Sequence, residues 1–496
     1  MSDIPSSYDI EEILNEVWDT IENDNSWLYY AEQLYFRDEY FVYKLVEDHY
    51  VENTFMQMLY AKEGNDKAEY IKKEPKTQST IRRLIEHLKS KYQKNIDYVK
   101  ERNDPYLIGF RNGYVDIKRF KETGKLELEH YTFLESKPEP TYFFEQIPHI
   151  IDDQILKEIK DKNLTPEQIL SKYAPNIYKF FNDIVGSEYI LLQITKIGYC
   201  FYRANPFKTI FMEIGDKNSG KSTFLGLIRK VLGDDNISAI TLQDLANKDF
   251  SIINLYHKLA NIRADLPYSA IKQTGSIKEL SGEDLVSANR KFKEPLNFIN
   301  YAKGIFSTNK LPKLNDITDE AFLDRFIPTK YPNHFEKSVD FAQKLYDNKE
   351  DIEGLIIASL YALMDLLKNG FSAYTNGIGI SELWKRQNST IYNFVRTFNE
   401  NGLLLFADKL QTPTEDLYNA YTTFCDNDLG ERAEIKKTFT EELEMLFHIQ
   451  IERPRIGGKQ IKSYKGIGLL SEPQNSVNPQ QDLLKEQKEG SGRGES

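Results

Sequence analysis

The clearest change of pattern along the chain falls at residue 209. Thr209-Ile-Phe-Met-Glu-Ile214 is a short, nearly continuous apolar run, which predicts a buried strand. A glycine-bounded loop follows, and then apolar residues at helical spacing (Phe224, Leu225, Ile228, Val231, Leu232) closed by Gly233. Strand, loop and helix recur less clearly to about Pro328, the order expected of a layered α/β domain. Upstream, Ile155 to Ile197 carries mostly helical spacing, with Thr165-Pro166-Glu167-Gln168 as a helix start, and Ile81, Leu84, Ile85 and Leu88 predict an amphipathic helix. Arg111-Asn112-Gly113 reads as a turn into a short strand. Downstream, helices are expected over Ile352–Asn369 (ending at Gly370), Thr412–Asp426 and Thr438–Phe447, followed by a basic hairpin-like stretch. After Ser471 the residues turn to Gln, Asn, Pro, Gly, Ser and charge, which predicts a disordered tail.

Composition adds limits. The 496 residues suggest about three domains. No apolar run approaches the roughly 18–20 residues of a membrane span; Leu355–Met364, the longest candidate, is interrupted by Ser359. The start, Met1-Ser-Asp-Ile-Pro, lacks the basic and apolar regions of a signal peptide, so a cytoplasmic protein is expected. Cys200 and Cys425 are the only cysteines and the seven histidines are scattered, which argues against a disulfide framework or a zinc cluster. The net charge of −12 is local: the first 55 residues hold fourteen acids against Arg37 and Lys44, so the rest of the chain balances. That acidic stretch is dense in aromatics (Trp18, Trp27, Tyr30, Tyr35, Tyr43 among them) and reads as a folded module rather than a tail.

Gly215-Asp216-Lys217-Asn218-Ser219-Gly220-Lys221-Ser222, followed by Thr223, fits the phosphate-binding pattern G-x-x-x-x-G-K-[ST]. Glycines let backbone N–H groups face inward around phosphates, and the helix that begins near Lys221 adds its positive end. The Lys221 ammonium can reach β- and γ-phosphates and the Ser222 hydroxyl can hold Mg²⁺, so a nucleoside triphosphate with Mg²⁺ is the expected ligand. Two later segments read as strands ending in polar groups. Lys258–Asp265 would place a carboxylate beside the metal, and Tyr301–Asn309 an amide between carboxylate and γ-phosphate; read singly, Asp265 and Asn309 are also ordinary turn residues.

Together these residues resemble superfamily 3 helicases, and more closely the helicase portion of phage, plasmid and poxvirus-type primase-helicases. The loop with Asn218 resembles their Walker A motif and Leu259–Asp265 their Walker B strand. Leu280–Asp284 with Asn289–Pro295 is similar to the B′ segment, Phe306–Pro312 to motif C with Asn309 as sensor, and Phe322–Ile327 to the arginine-finger segment with Arg325. Phe110–Ile117 resembles the region before the motor, and Leu417–Phe424 through Leu469 the closing winged helix; the resemblance covers roughly residues 85–470. Walker B departs from the family's paired acids, since Ala264 precedes Asp265, and the finger has a single arginine. The resemblance implies a P-loop AAA+-like motor in a hexameric ring. Lys221, Ser222, Asp265 and Asn309 of one subunit would face Arg325 of the next.

Nucleic-acid contacts are expected at two places. Arg290-Lys291-Phe292-Lys293 would form a hairpin tip with cations for phosphates and a ring for stacking on single-stranded DNA. Arg453, Arg455, Lys459, Lys462 and Lys465, around Gly457-Gly458, would make a basic wing for duplex DNA, while Glu441, Glu442 and Glu444 keep the preceding helix out of a groove. The expected organisation is multidomain α/β: an acidic module (1–80), a mostly helical pre-motor domain (81–200), the ATPase core (201–340), a helical segment (341–395), a winged helix (396–470) and the tail (471–496). The function expected is a replicative DNA helicase. No primase domain fits before the motor, so a separate primase or replication protein would be its partner. The alternatives are an origin-melting ATPase, or an ATP-gated DNA scaffold in which the single acid at Asp265 limits hydrolysis.

Overall fold

The computed structural model describes residues 7–124, 126–135, 141–247, 250–291, 293–336, 338, 340–371, 380–456 and 459–470. The expected tail, the Gly457-Gly458 turn and Phe292 lie outside the described residues. Among the described residues no helix is long and apolar enough to cross a membrane. The chain is mixed α/β and divides into two units. One holds residues 1–312 and 325–377, the other 313–324 and 378–496.

At the centre of the first unit is a five-stranded parallel sheet: β1 (Ile210–Gly215), β2 (Ile237–Ser238), β3 (Ala260–Arg263), β4 (Lys303–Thr308) and β5 (Phe326–Tyr331). Their spatial order is β5-β1-β4-β3-β2. From β1 the chain runs to the far edge and works back through β3 to β4, so β1 and β4 are neighbours that diverge in sequence. Such a switch point opens a crevice at the carboxyl ends of the strands. Both faces of the sheet are covered, so β1 and β4 are apolar without alternation, with Phe211, Met212, Ile305 and Phe306 fully buried. Helix α1 (Lys221–Leu232) follows β1 and ends where the N–H of Gly233 meets the Arg229 carbonyl.

The most buried polar interaction crosses three elements. Lys196, on the helix Ile190–Phe201, donates from Nζ to Glu213 Oε1 of β1 (2.6 Å) and to Thr329 Oγ1 of β5 (2.5 Å), and both charged side chains are wholly inaccessible. Burial lowers the Lys196 pKa, while Glu213 opposes that shift.

Residues 7–92 form their own core in front of this layer. A three-stranded antiparallel sheet (Trp27–Tyr30, Gln33–Arg37, Tyr43–Val46) packs with the helices Ser7–Glu22, Asp48–Glu63 and Pro75–Lys91 around Leu14, Trp27, Phe55, Leu59 and Leu84. Helix Pro75–Lys91 runs through the boundary expected at residue 80, because Ile81, Leu84, Ile85 and Leu88 complete this core. The acidic stretch is therefore folded, and its aromatics Trp27, Tyr30, Tyr35 and Tyr43 are buried. The turn between its first two strands is unusual: Ala31 (φ 51°) and Glu32 (φ 57°) both take the left-handed region without glycine. A two-residue hairpin of this kind normally carries Asn-Gly, and each non-glycine residue there costs about 1–2 kcal/mol.

Between this module and the sheet, the hairpin Leu107–Phe110/Gly113–Asp116 turns at Arg111-Asn112, as the sequence suggests. Thr165 caps the helix Pro166–Tyr173 in a reciprocal box with Gln168.

The second unit gathers the helices Ile380–Asn388, Thr390–Glu400, Thr414–Phe424 and Lys436–Phe447 beside a three-stranded antiparallel sheet. That sheet has the order Leu404–Pro413, Ser463–Leu469, Gln450–Glu452. Its core includes Phe394, Leu417, Tyr421, Phe439 and Tyr464. Residues 313–324, expected within the ATPase core, belong here instead: Phe322 packs on the ring of Trp384 (centroids 5.8 Å apart), and the Leu314 N–H donates to Asn388.

Replacing Lys196 by Met leaves Glu213 charged, buried and uncompensated, and should destabilise the first unit by about 3–5 kcal/mol. Lys196→Met combined with Glu213→Leu should recover much of that loss; urea unfolding of the single and double variants measures it.

Candidate nucleotide cleft and nucleic-acid interface

The loop between β1 and α1 gets its shape from two residues with positive φ, Asn218 (63°) and Gly220 (95°). Asparagine tolerates that region, but Gly220 is required for space as well: a Cβ there would sit 2.5 Å from Ile184 Cγ2. Lys221 opens the helix and folds back over the loop. Its Nζ donates to the Gly215 carbonyl (2.5 Å), the Asp216 carbonyl (2.7 Å) and Ser219 Oγ (3.2 Å). Ser219 in turn donates to the Asp216 carbonyl (2.8 Å). Desolvation pushes the Lys221 pKa down, opposed by the charges of Asp265 and Asp216.

A cleft of about 660 Å³ opens over this loop at the switch point, lined by Lys217 through Thr223 and by Asp265 and Asn309. Gly215 and Asp216, also expected at the nucleotide, do not line it; their carbonyls hold Lys221. Asn309 follows β4 directly, and because Thr308 is level with Ile214 it stands beside Gly215. Asp265 does not end its strand. β3 stops at Arg263, and Asp265 lies two residues beyond in the left-handed region (φ 51°), exposed at the cleft. The sequence thus brings Lys221, Ser222, Asp265 and Asn309 to one opening, and Ala264 supplies no second carboxylate there. No group of three or more acidic, His or Cys side chains placed to hold a metal occurs among the described residues.

Arg325 is elsewhere. Its carbonyl accepts from the Ile210 N–H (2.7 Å), so it stands at the amino end of β5 and β1. The loop is at their carboxyl end, five residues or roughly 16 Å along β1. Its Nε donates to Ser281 Oγ (3.1 Å). Arg325 and Lys221 of the same chain therefore do not meet.

One wall of the cleft was not anticipated from the sequence. It is built by Phe180 and Ile184, on the helix Pro175–Val185, together with Phe335 and Phe341, and the Phe180 and Phe341 rings pack 5.8 Å apart. Phe341 is half exposed, a large aromatic left open at the cleft, and nothing local in the sequence marks it.

The strands Leu285–Arg290 and Lys293–Ile299 form the expected hairpin, with Arg290 opposite Lys293. Val286, Ala288, Leu296 and Phe298 face inward, while Leu285, Ser287, Asn289, Asn297 and Ile299 are exposed. Lys291 and Lys293 are at the surface, but Arg290 is not presented as the sequence suggests. Its side chain is only 8% exposed, with all three guanidinium nitrogens engaged. Nε donates to the Glu294 carbonyl (2.8 Å), Nη1 to the Ala31 carbonyl (3.0 Å) and Nη2 to Glu32 Oε2 (2.9 Å).

In the second unit Arg453, Arg455 and Lys462 are exposed around the short hairpin Arg455–Ile456/Lys459–Gln460. Lys465 is already paired with Glu452 (2.8 Å), an acid just outside the stretch read as purely basic. Glu442 does not point away with Glu441 and Glu444: it is half buried, accepts from Ser389 Oγ (2.6 Å), and burial raises its pKa.

A mixed α/β chain of more than one domain, with a cleft at the switch point of a parallel sheet, is what the fold and site define. Residues 214–325, from the end of β1 to Arg325, match the model of a family of unknown function, DUF5906. The chain is similar to a protein named "Putative helicase L207/L206" from Acanthamoeba polyphaga mimivirus, 27% identical over 284 residues, 51% of this chain and 26% of that protein. It thus spans about a quarter of the length of that relative. Among solved structures, the apo structure of the NrS-1 C terminal region (305-718) aligns with a TM-score of 0.46 at 12% identity, over 91% of this chain and 98% of that one. An A form of the same apo region aligns with a TM-score of 0.41 at 12% identity, over the same shares.

Gly220→Ala should force the loop away from Ile184, costing about 1–3 kcal/mol from the strained φ and the steric conflict. A calorimetric melt measures the loss, and hydrogen exchange should place the disturbance at residues 215–223.

Proposed function

We propose that this chain is an ATP hydrolase that drives movement on DNA, with a P-loop AAA+-like core of the superfamily 3 helicase type, acting in a hexameric ring during viral or plasmid-type replication. The observation that carries this is the arrangement around β1: Lys221, Ser222, Asp265 and Asn309 converge on one cleft at its carboxyl end, and Arg325 stands at the other. An arginine that cannot serve its own cleft fits a role in a neighbouring subunit's cleft. The name of the mimivirus relative, a helicase, agrees with this reading.

In this reading ATP places its phosphates over the loop and its base against Phe180, Ile184 and Phe341. Lys221 leaves the Gly215 and Asp216 carbonyls for phosphate oxygens, whose charge favours the ammonium that desolvation disfavours. Ser222 and Asp265 suit Mg²⁺, because a hydroxyl and one carboxylate are a donor set for an ion that keeps waters and takes phosphate oxygens. Bound Mg²⁺ would offset charge on the β- and γ-phosphates. Asn309, between Asp265 and Gly215, would orient the attacking water. With Ala264 in place of an acid, Asp265 serves both metal and water. The runner-up reading, an ATP-gated scaffold with little hydrolysis, rests on that single carboxylate; an origin-melting ATPase would hydrolyse ATP without displacing a strand.

Lys291 and Lys293 would follow single-stranded DNA, and Arg453, Arg455, Lys459 and Lys462 duplex backbone. The work would be done in the cytoplasm, of the host if the replicon is viral.

ATP hydrolysis with and without single-stranded DNA tests the proposal. Lys221→Ala should abolish DNA-stimulated turnover, and Arg325→Ala should lower it about a thousandfold. Mixing the two inactive variants should restore part of it, since a Lys221→Ala subunit can lend Arg325 to the intact loop of an Arg325→Ala subunit. Absence of recovery would overturn the shared site. Hydrolysis absent in the parent chain but gained in Ala264→Glu would favour the scaffold.

A further inference from the structure

Arg290 has the chemistry to bind a phosphate and is held by something of similar shape. A guanidinium presents parallel N–H groups to a planar pair of acceptors, which a phosphate or carboxylate supplies equally well. Here Nη2 takes Glu32 Oε2 (2.9 Å) and Nη1 the Ala31 carbonyl (3.0 Å), both from one two-residue turn of the acidic N-terminal module. The two sides of this contact are unequal. Arg290 is nearly buried, whereas the Glu32 side chain is 53% exposed. Arg290 is also splinted from within its own hairpin by the Glu294 carbonyl (2.8 Å), so it stays oriented if Glu32 leaves. The turn holding Glu32 is strained, with Ala31 and Glu32 both at positive φ, and the backbone has something to gain by opening. Next to it, Tyr30 Oη is bonded to Tyr256 Oη (2.6 Å) and to His257 Nε2, so the module can remain docked while only the turn gives way.

We propose that the Ala31–Glu32 turn is an internal stand-in for a nucleic-acid phosphate, a latch that occupies Arg290 until a single strand displaces the Glu32 carboxylate. The inference rests on the reading of this hairpin as a nucleic-acid contact. It makes the acidic module a gate on affinity: binding of a strand competes with an intramolecular carboxylate.

The test is binding of the full chain to a fluorescent oligothymidylate across a range of salt, for the parent chain, Glu32→Gln, Glu32→Ala, Arg290→Ala and Glu32→Gln combined with Arg290→Ala. Both Glu32 variants should bind about two- to fivefold more tightly at low salt, the worth of one partly exposed ion pair. Their salt dependence should keep the parent's logarithmic slope, since a displaced latch leaves the same phosphate contacts, whereas Arg290→Ala should flatten it by about 0.7, the loss of one phosphate contact on a single strand. Arg290→Ala should cancel the gain in the double variant. If Arg290→Ala weakens binding while neither Glu32 variant tightens it, the latch is wrong and the hairpin contact stands. If none of the variants changes affinity or slope, or no oligonucleotide binds, the latch falls together with the assignment of the hairpin.

Discussion

The buried pair of Lys196 and Glu213 fixes the place of the candidate cleft. Glu213 is two residues before Gly215, so whatever holds Glu213 holds the start of the glycine loop. Lys196 ties it to a helix behind the sheet and, through Thr329, to the neighbouring strand β5. Two charges without water are a poor source of net stability, but they tolerate little slippage, since a one-residue shift of β1 would turn Glu213 to the other face and leave both uncompensated. The aromatic rings of Phe211 and Phe224 within 6 Å of the Lys196 ammonium supply the remaining electrostatic surroundings. The register of β1, and with it the position of the loop, thus leans on an interaction that a reader of the sequence would have passed over as a lysine in an apolar helix.

What the sequence made legible was local. The apolar run of β1, the glycine loop and the helix after it have periodicities that no tertiary contact needs to correct, and Thr165 or Gly233 announce helix ends by chemistry that acts over three or four residues. The convergence of Asp265 and Asn309 was readable because parallel strands bring their carboxyl ends to one edge. What was not legible depends on distant partners. Asp265 lies beyond its strand because the chain turns there to let the Leu266 N–H reach the Ser307 carbonyl. Arg290 looks like a surface cation until residues 258 positions earlier in the chain are folded against it. Glu442 looks like a repelling charge until Ser389 is seen to hold it. The aromatic wall of the cleft comes from a helix before the motor sequence and from Phe335 and Phe341 at its far end, where single positions look like ordinary core.

The acidic character of the N-terminal module acquires a local meaning from this geometry. Most of its charges face solvent and give the chain its overall sign, which says little about binding. One of them, Glu32, is held at a strained turn against a specific guanidinium, and under the proposed latch that position would decide more than the sum.

The excursion of residues 313–324 into the second unit has a consequence for how the chain is made. Emerging in order, this segment appears between β4 and β5 of the first unit, while Trp384, Lys385 and Asn388, which it packs against, follow some sixty residues later. At ribosomal speeds of about 5–20 residues per second, Phe322 waits roughly 3–12 seconds without its cover. The parallel sheet can therefore close around its cleft first, while Leu314, Phe322 and Leu323 on this connecting flap are still uncovered. The second unit is assembled onto a segment that was laid down before it existed, so the order of synthesis, and the protection of that flap during the delay, become part of what the fold requires.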